Sequence, residues 1–233
     1  MENKYVDFVS DAHFKKGVKN VWGSFSAKIR EDDELQRNGI DPIKMLFNMK
    51  YHNLDFKGWK ERESERQNSK TSGDRVGEFH QFLLGGVKGW TNLEQGHESG
   101  LDLMKDDKTI FMELKNKDND LNGNVEFALR EKMFKQHKKT PDATIYLAYI
   151  CAKNKKSEEK HWRPTTTEKL KLHNDKIRRI SGSKVYELIT GEENALRQVW
   201  ECLPIVIKDV YGIDSELNAK DQKEFEKWFE TAF

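Results

Sequence analysis

At 233 residues, with 41 Lys or Arg against 40 Asp or Glu and a formal net charge of +1, the chain is long enough to bury one substantial core. Charged residues make up 35% of it, and no apolar run approaches the ~20 residues that span a bilayer, so a spanning helix is excluded and no membrane partner is expected. The opening MENKYVDFVSD lacks the basic-then-apolar order of a signal peptide.

Tyr5, Val6, Phe8, Val9 and Ala12 are spaced for an amphipathic helix within residues 2–22. Asp41-Pro42 reads as an N-cap followed by proline at the first helical position. The helix it opens, Ile43 to about Tyr51, is expected to bury Ile43, Leu46 and Phe47. A further helical piece is expected from Asp55 through Gln67, followed by a loop at NSKTSGD, residues 68–74. Residues 1–70 thus read as a helical N-terminal region packed on a core formed by 71–233. The next run, RVGEFHQFLLGG, sets Val76, Phe79 and Leu83 on one stripe and ends at Gly85-Gly86, a C-cap signal. Glu78 lies off that stripe. His80 and His97 read as structural or surface residues. The glycines of GGVKGWTNLEQGHESG suit turns and close backbone approach.

From Gly100 to Lys117, GLDLMKDDKTIFMELKNK, apolar residues alternate at Leu101 and Leu103 and again at Ile110, Met112 and Leu114. Period-two alternation on both sides of a polar run predicts a β-hairpin with those five residues on the core face. Asp102, Glu113 and Lys115 then share the other face. Cross-strand neighbours on one face stand roughly 5 Å apart. Two carboxylates that close repel unless a cation sits between them. Hard oxygen ligands with an open coordination sphere suit Mg²⁺. An ammonium beside them, Lys115, can orient a nucleophilic water or stabilise charge on a phosphate oxygen. A hairpin with a merely solvated charged face is the bland alternative.

After a polar loop, a helix is expected from about Asn124 to Lys138, with Val125, Ala128, Leu129 and Met133 inward. ATIYLAYI, residues 143–150, is a near-continuous apolar run and predicts a buried central strand. Strand, helix and strand make a crossover unit, so the fold class is α/β (α+β): a mixed central β-sheet flanked by helices. Cys151 and Cys202 sit in apolar segments without zinc-site spacing and read as buried thiols in a reducing cytoplasm. Residues 152–165 form a basic insertion. Thr165-x-x-Glu168 is a capping-box pattern that opens a helix to about Arg179. SGSKVYELITG then reads as a strand, and GEENALRQVWECLPIVIKDVYG as a helix with a break near Pro204. Phe225, Trp228, Phe229 and Ala232 form the stripe of a final helix.

Between Arg130 and Lys184 there are 16 Lys or Arg against 6 Asp or Glu, a balance of +10 in a chain whose total is +1. A basic block in a neutral protein points to a polyanion on one face. Arg163 is the candidate for a base edge, with Lys155 and Lys156 for phosphates; Arg178, Arg179 and Lys184 are the further candidates.

The D-x10-E-x-K spacing of Asp102, Glu113 and Lys115 resembles the PD-(D/E)xK nuclease superfamily, with Leu101 at the proline position. The order of acidic helix, hairpin, basic helix, apolar strand and charged insertion resembles a type II restriction endonuclease over roughly residues 72–210. Within that class the overall texture is similar to the enzymes that cut GGNCC sites. The resemblance implies a restriction-endonuclease-like core and Mg²⁺-dependent hydrolysis of both strands of a palindromic duplex by a homodimer. It also implies metal binding by Asp102 and Glu113, service to the water or phosphate by Lys115, and an accessory metal ligand at Glu78. A repair or junction-resolving nuclease, or a non-catalytic DNA-binding protein, would share many of these features.

Overall fold

The computed structural model describes residues 3–93, 96–118, 123–162, 171–213 and 217–233. The chain forms two compact units, one of residues 1–18 and 77–233 and one of residues 19–76.

The larger unit is built on a six-stranded mixed sheet of order β1-β2-β3-β4-β6-β5. The strands are β1 (Trp90–Asn92), β2 (Leu103–Lys105), β3 (Ile110–Lys117), β4 (Thr144–Cys151), β5 (Glu159–His161) and β6 (Ile177–Ser181). The expected hairpin is β2–β3, antiparallel, with Leu103 opposite Met112 and Met104 opposite Phe111. The expected crossover unit is β3, helix α5 (Gly123–Lys139) and β4. Strand β4 runs parallel to both β3 and β6, and Ile145 to Ile150 are all buried. A strand covered on both faces needs no alternation, which is why TIYLAYI reads as one apolar run.

The two faces are filled differently. Leu93, Leu101, Phe111, Ile145, Leu147, Tyr149, Trp162 and Ile177 pack with Leu129 and Met133 of α5 in one cluster. Leu103, Met112, Leu114, Tyr146, Ala148 and Ile150 alternate with them and are also buried. Leu101 therefore departs from the expected set: it lies beyond the end of β2 and joins the α5 cluster. On α5, Val125 and Ala128 are exposed, and their expected place is taken by Arg130, 1% exposed. Its guanidinium bonds Glu126 Oε1 and the Trp162 carbonyl, both at 3.0 Å, and lies 3.8 Å from the Trp162 ring centre. A buried charge so paired is tolerated.

Three further expectations change around the sheet. IRRIS, placed in a helix by the capping-box reading, is strand β6, flanked by β4 and β5. The capping box itself lies outside the described residues. SGSKVYELITG is not a strand: Ser183–Thr190 is helix α6, which buries Val185, Tyr186 and Ile189 at helical spacing. Gly182 turns the chain between the two with φ +61°, and a Cβ there would collide with Ser157. The Ser157 hydroxyl accepts from the Ser183 amide at 2.9 Å. Helix α7 (Ala195–Tyr211) continues through Pro204. The last helix, α8 (Ala219–Ala232), has no buried residue, and Phe229 stacks on Trp200 at 4.6 Å.

Helix α1 (Asp11–Trp22) starts later than the periodicity suggests, because the Asp11 carboxylate bonds the Lys4 and Tyr5 amides and holds residues 4–10 in turns. In the smaller unit, α2 (Asp32–Gln36) and α3 (Pro42–Tyr51) precede α4 (Phe56–Leu84), whose residues 77–84 belong to the larger unit. Asp41 caps α3 through the Ile43 and Lys44 amides, as its sequence predicts. Its apolar face is not buried: Ile43, Leu46 and Phe47 are 70%, 58% and 74% exposed, and α3 has no buried residue. NSKTSGD is no loop but lies within α4. Asn68 donates to the Ser26 and Lys28 carbonyls at 3.0 Å, and Arg30 donates to Asn68 Oδ1 at 2.8 Å. Polar residues that look like a linker are here the buried hydrogen-bonding stripe of a helix.

Candidate active site

The β2–β3 turn fixes the register on which the site depends. Asp107 accepts from the Thr109 amide at 2.9 Å and its hydroxyl at 2.5 Å, which pull its carboxyl down to about 2. Lys108 takes the left-handed conformation, φ +60°. Leu103 opposite Met112 then sets Asp102, one residue earlier, across from Glu113. Period two adds Lys115 to the same face.

Each side chain is held. Asp102 Oδ2 accepts the Leu114 amide at 2.7 Å, and the Asp102 amide donates to the Met112 carbonyl at 2.9 Å. Burial raises the Asp102 carboxyl from its ordinary 3.8 to about 6, helped by the Glu113 charge and opposed by the Leu114 amide, Lys115 and Lys132. Glu113 is 4% exposed. Its Oε1 lies 2.7 Å from Lys115 Nζ and its Oε2 2.5 Å from Lys132 Nζ. Lys132, from α5, also donates to the Gly100 carbonyl at 2.6 Å. The sequence reading missed Lys132 in this role. The available signal was a lysine off the apolar stripe of a basic helix, which by itself indicates only a solvated face.

The donor set suits a divalent cation. Two carboxylates stand close enough for one charge to weaken the other's acidity, and the more buried one draws two ammonium groups. Hard carboxylate oxygens are the donors that Mg²⁺-type ions select. Among the described residues, no three Asp, Glu, His or Cys side chains converge on one metal position, so Glu78 is not gathered with the pair. It is exposed on α4, one turn before Gln81, whose amide reaches the Asp102 carbonyl at 3.4 Å. His80 is structural: its Nδ1 meets the Tyr186 hydroxyl at 2.6 Å, and burial lowers its pKa to about 4, which keeps the imidazole neutral. His97 bonds the Ser99 hydroxyl at 2.8 Å within its own turn.

The candidate DNA contacts divide. Arg163 lies outside the described residues. Arg178 pairs with Glu159 at 2.5 Å, Arg179 with Asp118 at 2.7 Å and Lys184 with Glu187 at 2.6 Å. Lys155 and Lys156 are exposed in the loop after β4. Arg179 also stacks on Tyr149 at 4.8 Å and, with Asp118, Lys153 and Lys160, lines a cleft of about 260 Å³ beyond the C-terminal ends of β3 and β4. The Lys184–Glu187 pair is largely exposed and worth at most ~1 kcal/mol, whereas the Arg178 and Arg179 pairs are half-buried. Trp162, adjacent to Arg163, is a core residue, 5% exposed.

An antiparallel hairpin bearing Asp102 against Glu113-x-Lys115, leading into a parallel crossover under a basic helix, is a restriction-endonuclease-like core of the α+β class. The chain belongs to the Eco47II restriction endonuclease family, whose profile matches residues 6–212. It is similar to the type II restriction enzyme Sau96I of Staphylococcus aureus, 33% identical over 218 residues that cover 90% of this chain and 82% of that protein. It is also similar to the type II restriction enzyme Eco47II of Escherichia coli, 30% identical over 207 residues that cover 84% of each. The protein is a type II site-specific deoxyribonuclease acting on DNA, which displaces the repair, junction-resolving and non-catalytic readings. No described helix is long and apolar enough to cross a membrane.

Proposed function

We propose that this protein cuts both strands of duplex DNA at a short palindromic site, GGNCC, as a Mg²⁺-dependent homodimer in the bacterial cytoplasm. The observation that carries the reading is the Glu113 carboxylate, 4% exposed, engaged by Lys115 at 2.7 Å and set across from Asp102, whose pKa is raised to about 6. Asp102 and Glu113 hold the metal. Glu78, a turn from Gln81 on the neighbouring helix, would be an accessory ligand. Once bound, the ion acidifies the attacking water and stabilises the leaving oxygen. Lys115 supplies a fixed positive charge to the scissile phosphate and orients the nucleophile. Asp102 serves only when ionised, so activity is expected to fall as pH drops and this buried carboxyl protonates.

Arg163 reads a base edge, with Arg179, stacked and ion-paired beside the 260 Å³ cleft, as the second candidate reader and Arg178, on the other face of β6, as the third, while Lys155, Lys156 and Lys184 meet phosphates. The homodimer is supported by the exposed apolar stripe Ile43, Leu46, Phe47 and Tyr51 on α3, a patch of the kind that marks protein contacts.

The test is digestion of DNA of known sequence with Mg²⁺, Mn²⁺, Ca²⁺ or chelator, with the ends of the products sequenced. Discrete fragments ending at GGNCC with Mg²⁺ or Mn²⁺, and none with Ca²⁺ or chelator, are expected. Undiminished cutting in excess chelator, or fragments ending at another sequence, refutes the corresponding part of the reading.

A further inference from the structure

The active site contains an ammonium that the D-x10-E-x-K pattern does not supply. Lys132 arrives from α5, 19 residues from Glu113, and its Nζ lies 2.5 Å from Glu113 Oε2 and 2.6 Å from the Gly100 carbonyl. The path of its stem depends on Gly100, which sits at φ +64°. A Cβ there would come within 3.0 Å of Lys132 Cδ. With Lys115 on Oε1, both oxygens of the most buried carboxylate in the site carry an ammonium.

That arrangement conflicts with a bound divalent ion. Glu113 must turn at least one oxygen to the metal, and positive charges repel strongly at ~4 Å in a partly desolvated site. Lys115 is tied two residues away on the same strand. Lys132 comes from a separate helix, is 32% exposed at its side chain, and has a neutral carbonyl as its other partner. It also lines a cleft of about 290 Å³ with His97, Gly100, Lys135 and Lys139. Lysines at 132, 135 and 139 are spaced i, i+3 and i+7, one face of the helix. A DNA strand against that face would bring a phosphate to the first of them.

We propose that Lys132 is a positioning residue of the metal site. In the ion-free protein its ammonium occupies the cation's place against Glu113 Oε2 and competes with the ion for that carboxylate. When the divalent ion enters, the ammonium leaves the carboxylate and moves into the lysine-lined cleft, where it meets the DNA backbone. Metal binding and DNA binding are thereby coupled through one side chain. The inference rests on the nuclease reading and deepens it.

The test compares wild type, Lys132→Met and Lys132→Arg. Ca²⁺ affinity is measured by calorimetry without DNA, duplex binding in Ca²⁺ is measured at several salt concentrations, and cleavage is measured with Mg²⁺. Lys132→Met removes the competitor and is expected to bind Ca²⁺ roughly tenfold more tightly. The salt dependence of its duplex binding should flatten by about one counterion, and its cleavage should fall at least ~10-fold. Lys132→Arg pairs with Glu113 more firmly and should bind Ca²⁺ more weakly than wild type. A purely structural lysine would make Ca²⁺ binding weaker in Met than in Arg, and that order overturns the proposal, as does equal affinity in all three. If Lys132→Met does not fold, wild-type or tighter Ca²⁺ binding by Lys132→Arg overturns it equally. Wild-type protein that binds no Ca²⁺ and leaves DNA intact refutes the nuclease reading itself.

Discussion

Replacing Asp102 with Asn should stabilise the protein while abolishing cleavage. The Asp102 carboxyl is raised from 3.8 to about 6, first by burial and then by the Glu113 charge. A folded-state value above the unfolded one means that the folded protein prefers the protonated acid. That contribution is present below about 3.8 and is lost as pH rises through about 6. At about 1.4 kcal/mol per pH unit, the ionised carboxylate costs the fold up to ~3 kcal/mol at pH 8. Asn is isosteric, carries no charge, and keeps an oxygen for the Leu114 amide that Asp102 now accepts at 2.7 Å. For a chain of this size ~1 kcal/mol moves the melting temperature by ~2–4 °C. The metal-free Asp102→Asn protein should therefore melt several degrees above wild type at pH 8, and the gap should shrink toward zero near pH 4. The assay is differential scanning calorimetry of both proteins across that range in chelator. A variant less stable than wild type at pH 8, or a gap independent of pH, would refute the electrostatic reasoning. Ca²⁺ should raise the melting temperature of wild type far more than that of the variant.

Lys115→Ala should leave the far-ultraviolet circular dichroism unchanged and lower the cleavage rate at least ~10²-fold; wild-type cutting by that protein would remove Lys115 from the site. Arg130→Met should cost ~3–5 kcal/mol in urea unfolding, because it strands Glu126 and the Trp162 carbonyl, both bonded by the buried guanidinium. An unchanged unfolding midpoint would show that these two bonds contribute nothing to stability. Gly182→Ala should cost about 2 kcal/mol, since it forces a left-handed φ and a Cβ into Ser157; wild-type stability in the same assay would count against that strain.

What the sequence revealed and concealed follows from where each element finds its partners. Strand β4 was legible because its apolar run is buried on both faces, and the hairpin because its pairing is local. Helix α4 was not, because the polar residues at its centre are satisfied by carbonyls about 40 residues away, at Ser26 and Lys28. Adjacent arginines in IRRIS hide a strand next to the sheet centre. Arg178 and Arg179 point to opposite faces, and each meets its own carboxylate, Glu159 or Asp118. The apolar residues of SGSKVYELITG fit a strand or a helix over so short a run. What decides between them is β6 immediately before it, with Gly182 as the corner. The α3 stripe shows the converse failure: periodicity located an amphipathic helix and could not say whether its own chain covers that face.

The site divides along the same line. Asp102, Glu113 and Lys115 could be placed together because cross-strand register and period two bring them to one face from within a single hairpin. Lys132 could not, because its position depends on how α5 is rotated. That rotation is fixed by Leu129 and Met133 packed beneath Phe111, Ile145 and Leu147. With those two residues inward, position 132 falls at the edge of the helix facing the chain that enters β2, where the Gly100 carbonyl and Glu113 await it. The crossover that makes the sheet mixed therefore also delivers the second ammonium. The same packing explains why Arg130, the neighbour of Leu129 and equally a lysine-block residue by sequence, turns inward to Trp162 instead of outward to a phosphate. A positive charge count along a helix thus resolves, residue by residue, into a core strut at 130, a site ammonium at 132 and a solvent-facing cation at 135. The apolar residues between them set which is which.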